Sequence, residues 1–381
     1  HDALPISQHR QLKYFTWRHF LITTVIILIL GVGTWGFYQV TKMHEAEAAH
    51  PETQDALDQI DQSVFLEDND HAVSANHQLE KAGFTGTALL VENNRIILQK
   101  GYGYANEAEG RFNNPQSLFQ IASIQKSFTA TLIMQQVQQG KLSLETLLAR
   151  YYPNVPNARR ITIKQLLTMT SGLSQTGEDQ NVISELDNVN FDASHVKLLP
   201  SNRWTYQAIN FRLLAGILMK ITHQSYWELF NNVFNKQYHL NIANYENFMH
   251  SEHRTIAYQN GNIVPDNPRQ YARETGTGNV AMSAGMLYRY YRLLIDHKII
   301  TVSRLHDMWQ PVVGESYSSG LYHWGKYNSG HGILDGFEPT IVITNNGRSA
   351  VILLSNSRVR GKSWQPLAKA LFTQMTAIKT R

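Results

Sequence analysis

The sequence predicts an α+β domain in which an antiparallel sheet is formed from both ends of the domain, with flanking helices and a helical insertion. Near the start, two β-prone runs at residues 87–91 and 95–99 flank a turn-type tripeptide at 92–94, which predicts a hairpin. Near the end, the runs at 340–344 and 350–354 predict a second hairpin. Because helical periodicity fills the middle of the chain, the two hairpins are expected to share one sheet.

The helices are predicted from apolar spacing and from capping signals. One helix is expected to begin near Ser123 and to end at Gly140. Residues 162–165 have the form of a capping box, and Gly172 follows as a stop signal. Further helices are predicted at residues 210–221, 282–295 and 365–378.

Residues 20–40 form a run of 21 residues without a formal charge, long enough to cross a bilayer as a helix. Arg10, Lys13 and Arg18 precede this run, and the chain after it is acidic. The positive-inside rule therefore predicts a single-pass anchor in the cell membrane, with the N-terminus in the cytoplasm and the domain outside. A cleaved signal peptide, with small residues at 46–49, is the alternative, and a buried core helix is a weaker one.

The predicted organisation has four segments. Residues 1–19 are expected to be cytoplasmic, although 1–7 resemble a translated sequencing adapter and carry no structural meaning. A transmembrane helix at 20–40 precedes the segment 41–79, which is acidic, poor in aromatic residues and expected to be a flexible tether. The globular domain is then expected to span residues 80–381.

The composition excludes several classes of function. The formal net charge is +4 without runs of basic residues, so no nucleic-acid partner is expected. There is no cysteine, which excludes disulfides, cysteine nucleophiles and thiolate zinc sites. His250 and His253 form a loose pair without a metal-binding motif, so they are expected to be solvated. We therefore expect no metal and no cofactor. A monomeric protein is a further expectation.

Ser123 and Lys126 lie three residues apart at the start of a predicted helix, which places them on one face. The Ser123 hydroxyl would lie at the positive end of the helix dipole. A serine hydroxyl is a poor nucleophile unless an adjacent base takes its proton, and a desolvated lysine can be that base. Ser-x-x-Lys alone more often marks a surface helix, and a second copy at 194–197 runs into Pro200, which cannot continue a helix.

The context of Ser123 carries a family resemblance. From residue 83 to residue 375 the chain resembles the serine β-lactamase and penicillin-binding protein superfamily, nearest the class C β-lactamase-like serine hydrolases. The resemblance implies that Ser123 is the nucleophile and Lys126 its partner. The motifs that carry it, in family order, lie at residues 101–104, 121–126, 140–142, 161–173, 200–206, 276–278, 330–332 and 336–337.

The family's second motif is Tyr-x-Asn, and the matching segment is Tyr206-Gln-Ala208. The resemblance implies that Tyr206 exchanges protons with the serine and the leaving group. A tyrosine beside an apolar helix is otherwise usually a core residue. Ala208 replaces the asparagine that would orient the lysine and the substrate amide. Asn210 lies two residues further on, but a helix would point it elsewhere.

The family's third motif is a strand beside the serine, which here becomes Gly330-His331-Gly332. Gly330 lacks the family's basic side chain, so a less electropositive site is expected. The resemblance implies substrate binding by His331, Gly332 and Ile333; His331 would donate to a substrate carboxylate or carry protons. The alternative for His331 is a strand-edge residue facing water. Gly332 would allow close backbone approach, and the amides of Ser123 and Ile333 would form the oxyanion hole.

The resemblance implies a membrane-anchored extracytoplasmic serine hydrolase that acts through an acyl-enzyme on an amide or ester. Its location and fold make D-alanyl cell-wall peptides the leading substrate class, as for a carboxypeptidase of the penicillin-binding type. One alternative is an esterase of the same fold, and another is a penicillin-binding-like protein with little turnover. Ser123, Lys126 and Tyr206 argue against low turnover, whereas Ala208 and Gly330 favour it.

Overall fold

The structure is a computed structural model. It describes residues 56–178, 181, 184–201 and 203–381. The predicted cytoplasmic segment, the predicted transmembrane helix and the first part of the predicted tether lie outside these ranges. Within them, no helix is both long enough and apolar enough to cross a membrane.

The described residues form alternating helices and strands. The α-helices are α1 (Asp70–Ala82), α2 (Gln125–Gln138), α3 (Ile163–Leu167), α4 (Glu185–Ser194), α5 (Ile209–Thr222), α6 (Tyr226–Phe230), α7 (Tyr245–Met249), α8 (Pro268–Arg273), α9 (Ala284–Ile295), α10 (Val302–Met308) and α11 (Gln365–Thr376). Shorter turns of 3₁₀-helix lie at Ala56–Gln59, Ala122–Ile124 and Leu148–Arg150, and a π-helical turn lies at Asn231–Gln237.

The strands are β1 (Val64–Phe65), β2 (Gly86–Glu92), β3 (Arg95–Tyr102), β4 (Tyr104–Asn106), β5 (Arg111–Phe112), β6 (Phe119–Gln120), β7 (Leu173–Gln175), β8 (Val196–Leu198), β9 (Tyr258–Gln259), β10 (Asn262–Ile263), β11 (Ala281–Met282), β12 (Tyr317–Ser318), β13 (Leu321–His323), β14 (Tyr327–His331), β15 (Glu338–Thr344), β16 (Ala350–Ser355) and β17 (Ser357–Arg358).

The main sheet has the order β1-β3-β2-β16-β15-β14-β13-β12, and all its neighbours are antiparallel. The hairpin β2–β3 from the start of the domain joins the strands from its end where β2 pairs with β16, with Leu89 opposite Ile352. The prediction of one antiparallel sheet built from both ends is therefore confirmed. The insertion between the two halves is mainly helical, as predicted.

The central strands are buried on both faces, because helices cover both sides of the sheet. Leu89 and Ile352 pack against the helical insertion in the larger core. Leu90 and Val351, on the opposite face, pack with α1 and α11 in a second core. Strands buried on both faces read as continuous apolar runs, which is why both hairpins were recognisable in the sequence.

The structure corrects the boundary between tether and domain. Residues 56–79 are not a tether but part of the fold. Ala56 is buried and donates from its amide to Asn94 O at 2.8 Å, and β1 pairs with β3. α1 is capped by Asn69 and buries Leu79 completely. The acidic composition hid this helix, whose apolar positions fall on one face between polar ones.

Candidate active site

Ser123 lies in the 3₁₀ turn that leads directly into α2. The preceding residue, Ala122, has φ +45°, a left-handed conformation that costs energy for a residue with a Cβ. Main-chain bonds hold this turn on both sides: Ile121 N donates to Val280 O at 3.0 Å, and Ile124 N donates to Ile121 O at 3.1 Å. The strained turn presents the half-buried Ser123 at the N-terminal end of the helix.

Lys126 lies one turn further on and is almost fully buried, with 1% of its surface exposed. Its Nζ donates to Ser123 Oγ at 2.9 Å and to the main-chain oxygen of Thr277 at 3.1 Å. Its Nζ also lies 5.2 Å from the centroid of the Tyr206 ring. The structure thus brings together the three residues that were predicted to be catalytic.

Tyr206 lies in the loop before α5, where 39% of its surface is exposed, so it is not a core residue. Its ring packs edge to face against Tyr317, with centroids 5.8 Å apart. Within the described part of the chain, its hydroxyl forms no hydrogen bond with Ser123 or Lys126. Catalytic hydrogen bonds often tighten only when substrate is present, so the missing bond does not exclude a catalytic role for Tyr206. The contact between its ring and Lys126 Nζ places Tyr206 beside the other two residues.

Asn210 does not replace the asparagine that is missing at Ala208. It is buried in the first turn of α5, and its Nδ2 donates to Gln207 O at 2.9 Å. Its Oδ1 accepts from Ser171 Oγ at 2.6 Å. The expectation that the helix points Asn210 away from the lysine is confirmed.

His331 ends β14 and is oriented by a buried carboxylate. Its Nε2 lies 3.1 Å from Oε1 of Glu338, which is 1% exposed. Ser363 Oγ and the Trp364 amide donate to the same oxygen at 2.6 and 2.9 Å. Burial raises the pKa of Glu338, but these three donors outweigh it and leave the pKa below its ordinary value. His331 is therefore a half-buried, anchored residue rather than the water-exposed strand-edge histidine of the alternative.

Gly332 lies directly against the Ser123 turn. A Cβ at this position would lie 2.8 Å from Ser123 N and 2.8 Å from Ala122 Cβ. The Gly332 amide donates to Pro339 O at 3.0 Å, which continues the strand pairing. The next amide, that of Ile333, has no acceptor within the residues that the structure describes. The two amides predicted to form the oxyanion hole are those of Ser123 and Ile333. They lie on either side of the close contact between Gly332 and the Ser123 turn.

A cavity of about 540 Å³ opens above Ser123. Aromatic rings form one wall, and α11 contributes two polar side chains to another. The residues that line it are Ser123, Tyr206, Tyr317, Gly320, Tyr322, Trp324, Ser329, His331, Gly332, Ile333, Gln365 and Lys369. All the residues predicted to bind substrate line this cavity.

Lys369 is a lining residue that the sequence analysis missed, and it brings a basic side chain to the cavity. Its Nζ donates to Arg381 O at 2.6 Å, and burial lowers its pKa. Gln365 lies one turn earlier on the same face of α11. The cavity thus keeps a basic side chain although Gly330 supplies none.

A buried ionic cluster behind Lys126 was also missed. Arg212, on α5, donates from Nη2 to Glu274 Oε1 at 2.9 Å. Its Nη1 donates to Gln175 Oε1 at 2.8 Å and lies 3.4 Å from Asp192 Oδ2. The hydroxyl of Thr277 donates to Glu274 Oε2. The signal available in the sequence was an acid two residues before the motif at 276–278.

The two carboxylates of this cluster differ in pKa. Burial raises the pKa of Glu274, but Arg212 and Lys126 attract the carboxylate strongly enough to leave its pKa below the ordinary value. For Asp192, burial prevails over Arg212 and raises the pKa to about 6. Glu274 is therefore the carboxylate that carries a full negative charge across the neutral range.

Other sequence candidates form no site. Ser194 ends α4 and donates to Phe191 O at 2.7 Å, while Lys197 lies in β8, so no helix face joins them. Among the described residues, no group of three or more potential metal ligands lies close enough to hold an ion.

The fold and the site define a class of protein. An antiparallel sheet from both ends of the domain, a serine at a helix start and a buried lysine one turn on are the features of a serine hydrolase with the penicillin-binding protein fold. The chain belongs to the Beta-lactamase family, which matches residues 73–374.

Two relatives show how far the similarity extends. PbpX of Bacillus subtilis (strain 168), named as a candidate penicillin-binding protein, is 30% identical over 298 residues, which cover 76% of this chain and 75% of PbpX. Protein flp of Staphylococcus aureus (strain NCTC 8325 / PS 47) is 26% identical over 307 residues, which cover 74% of this chain and 61% of that protein. This chain thus matches less than two thirds of protein flp.

Solved structures show the same fold. FmtA from Staphylococcus aureus superimposes with a TM-score of 0.75 at 19% identity, over 82% of this chain and 88% of FmtA. D-amino acid amidase from Ochrobactrum anthropi SV3, in complex with L-phenylalanine amide, gives a TM-score of 0.67 at 19% identity, over 81% of this chain and 98% of the amidase. At these identities the similarity concerns the fold alone.

Proposed function

We propose that this protein is an extracytoplasmic serine hydrolase that forms an acyl-enzyme at Ser123, with D-alanyl cell-wall peptides as the leading substrate class. The observation that carries the proposal is the 2.9 Å contact between Lys126 Nζ and Ser123 Oγ at the floor of the cavity. The name of PbpX favours a penicillin-binding type of activity, and the amidase shows that this fold can serve hydrolysis of D-amino acid amides.

In the proposed reaction, Ser123 Oγ attacks the carbonyl carbon and its proton passes to a neighbouring group in the cavity. The carbonyl oxygen becomes an oxyanion, which the amides of Ser123 and Ile333 stabilise. The bond to the leaving amine or alcohol then breaks, and the leaving group takes up a proton. Water attacks the resulting ester of Ser123, which releases the acid and restores the hydroxyl.

The test compares two substrates with the full chain. Release of D-alanine from an N-acylated D-alanyl-D-alanine peptide is measured beside hydrolysis of a short acyl ester. Faster release of D-alanine is the expected result. Hydrolysis of the ester alone would favour the alternative of an esterase. A stable adduct on Ser123 without turnover of either substrate would show a binding protein.

Ala208 is the observation that favours the esterase alternative, and it predicts poor β-lactamase activity. A methyl group cannot donate to a substrate amide or hold a lysine as a side-chain amide can. Loss of one preorganised contact typically costs about 2.7–4 kcal/mol, or roughly 10²–10³ in rate. We expect the wild-type protein to hydrolyse a chromogenic cephalosporin more slowly than a short ester, and Ala208→Asn to raise cephalosporin hydrolysis about tenfold or more.

The control is Ala208→Leu, which has a similar size to asparagine but no amide, and which is expected to bring no gain. Cephalosporin turnover by the wild-type protein above its turnover of the ester would show that the alanine at this position does not matter.

We propose further that residues 20–40 anchor the protein in the cell membrane with the domain outside. The uncharged run and the basic residues before it carry this proposal. Protease added to intact cells is expected to remove the domain and to leave a membrane-bound fragment. Protection of the domain would reverse the topology, whereas a mature N-terminus near His50 would show a cleaved signal peptide.

A further inference from the structure

Every contact of the Lys126 amine suits a cation. Two oxygens, Ser123 Oγ and Thr277 O, accept hydrogen bonds from Nζ, and the face of the Tyr206 ring lies near it. Glu274 attracts it electrostatically. A buried lysine needs such partners to remain charged, because burial alone favours the neutral amine.

We propose that Glu274, held in place by Arg212, is the counter-ion that keeps Lys126 as an ammonium directed at Ser123. In the family, an asparagine orients the lysine, and Ala208 stands at its position here. Glu274 thereby takes over the orientation of Lys126. The inference rests on the proposed acyl-enzyme at Ser123 and deepens it, since it assigns a positioning residue outside the motifs that the family resemblance supplied.

Thr277 connects the two charges. Its hydroxyl donates to Glu274 Oε2, and its main-chain oxygen accepts from Lys126 Nζ at 3.1 Å. Thr277 is 1% exposed, so water does not compete for either bond. A shift of Glu274 would therefore move the acceptor of Lys126 as well.

The loop at residues 274–279 is held against α2 by hydrogen bonds and packs closely against α5. Thr129 Oγ1 donates to Gly276 O at 2.7 Å, and Gln125 exchanges two bonds with Asn279, of 2.9 and 2.5 Å. On the other side, a Cβ at Gly276 would lie 2.7 Å from Ala215 Cβ on α5. The carboxylate that this loop carries is thus fixed relative to the helix that carries Lys126.

The charges of the cluster balance when all its groups are ionised: Lys126 and Arg212 are the cations, and Glu274 and Asp192 the anions. The other titratable groups that line the cavity are Tyr206 on the loop before α5, Lys369 on α11 and, on the sheet, Tyr317, Tyr322 and His331. His331 already has a carboxylate partner, because its Nε2 lies 3.1 Å from Oε1 of Glu338. Glu274 is thus the carboxylate placed to act on the lysine.

An ammonium that donates to Ser123 Oγ stabilises the negative charge that develops there during attack. It cannot at the same time accept the proton of that hydroxyl. The proton then leaves to another group in the cavity, for which Tyr206 is the candidate, and Lys126 acts through its charge.

The test uses Glu274→Gln in the full chain, since glutamine keeps the shape and an oxygen that accepts from Arg212. The rate of covalent labelling by a fluorophosphonate is measured by intact mass between pH 5 and pH 10. We expect labelling at pH 8 to fall about 10- to 100-fold. We also expect the alkaline limb of the pH profile to move to lower pH by about one unit or more, because the ammonium has lost its counter-ion.

Two variants control this result. Asp192→Asn removes a carboxylate from the far side of the same guanidinium and is expected to keep the labelling rate within about threefold. Glu274→Asp restores the charge and is expected to return the alkaline limb to the wild-type pH. If Glu274→Gln does not fold, Thr277→Val removes the hydroxyl that holds the carboxylate and is expected to shift the limb in the same direction.

Labelling of Glu274→Gln at the wild-type rate and with the wild-type pH profile would overturn the inference. So would an equal loss in Asp192→Asn with a parallel drop in melting temperature, since both variants would then act through stability. Labelling that persists in Ser123→Ala would instead refute the proposed function, and the two failures are thereby distinct.

Discussion

Ser123→Ala is expected to abolish covalent labelling and to lower hydrolysis by roughly 10⁶-fold, the scale on which removal of a serine nucleophile acts elsewhere. The alanine leaves Lys126 with its bond to Thr277 O but with no oxygen to direct at a carbonyl carbon. The change removes one small polar atom from a half-buried position, so the melting temperature is expected to stay close to that of the wild-type protein.

The measurement is the intact mass of the full chain after treatment with a fluorophosphonate or a fluorescent penicillin, followed by peptide mapping. Ser194→Ala, in the second Ser-x-x-Lys of the chain, is the matched control and is expected to label like the wild-type protein. An adduct mapped to Ser194, or an adduct that persists in Ser123→Ala, would refute the assignment of Ser123 as the nucleophile.

The parts of this protein that could be predicted from sequence depend on neighbours in the chain. The hairpins follow from apolar runs around short turns, and the capping box at Thr162 is present as predicted, with Gln165 completing it. The relation of Ser123 to Lys126 is likewise local, because one helical turn fixes it.

The parts that could not be predicted depend on contacts between residues far apart in sequence. Arg212 and Glu274 are 62 positions apart, and Lys126 meets Thr277 across 151 positions. Neither pairing leaves a periodic signal in the sequence. Lys369 likewise lines the cavity only because α11 packs on the sheet against β15 and β16. Composition misled in one place, since the acidic residues before 79 concealed the buried face of α1.

His331 shows an intermediate case. Its position after a glycine and before Gly332 was recognisable as a strand motif. Its partner, Glu338, follows seven residues later on the adjacent strand, and the buried carboxylate fixes the orientation of the imidazole ring. The motif thus identified the residue, whereas the orientation of its ring required the structure.

Gly332→Ala is expected to lower the rate of acylation by about 10²–10³-fold while leaving Ser123 and Lys126 intact. The added Cβ would lie 2.8 Å from Ser123 N and from Ala122 Cβ, and 3.1 Å from Ile121 O, so main-chain atoms have to move. That movement separates the amides of Ser123 and Ile333, and loss of one oxyanion-hole donor typically costs 10²–10³ in rate. Overpacking of this kind costs about 1–3 kcal/mol of stability.

Gly330→Ala, two residues earlier on β14, is the matched control. Its added Cβ would meet Leu321 Cδ2 at 2.9 Å and Ile341 Cγ2 at 3.1 Å, which are side-chain methyl groups rather than the main chain of the Ser123 turn. We therefore expect Gly330→Ala to change the labelling rate by less than about tenfold at a similar loss of stability. Stopped-flow acylation and thermal unfolding of both variants measure the difference. Equal rates in the two variants would show that the backbone around Gly332 does not form the oxyanion hole.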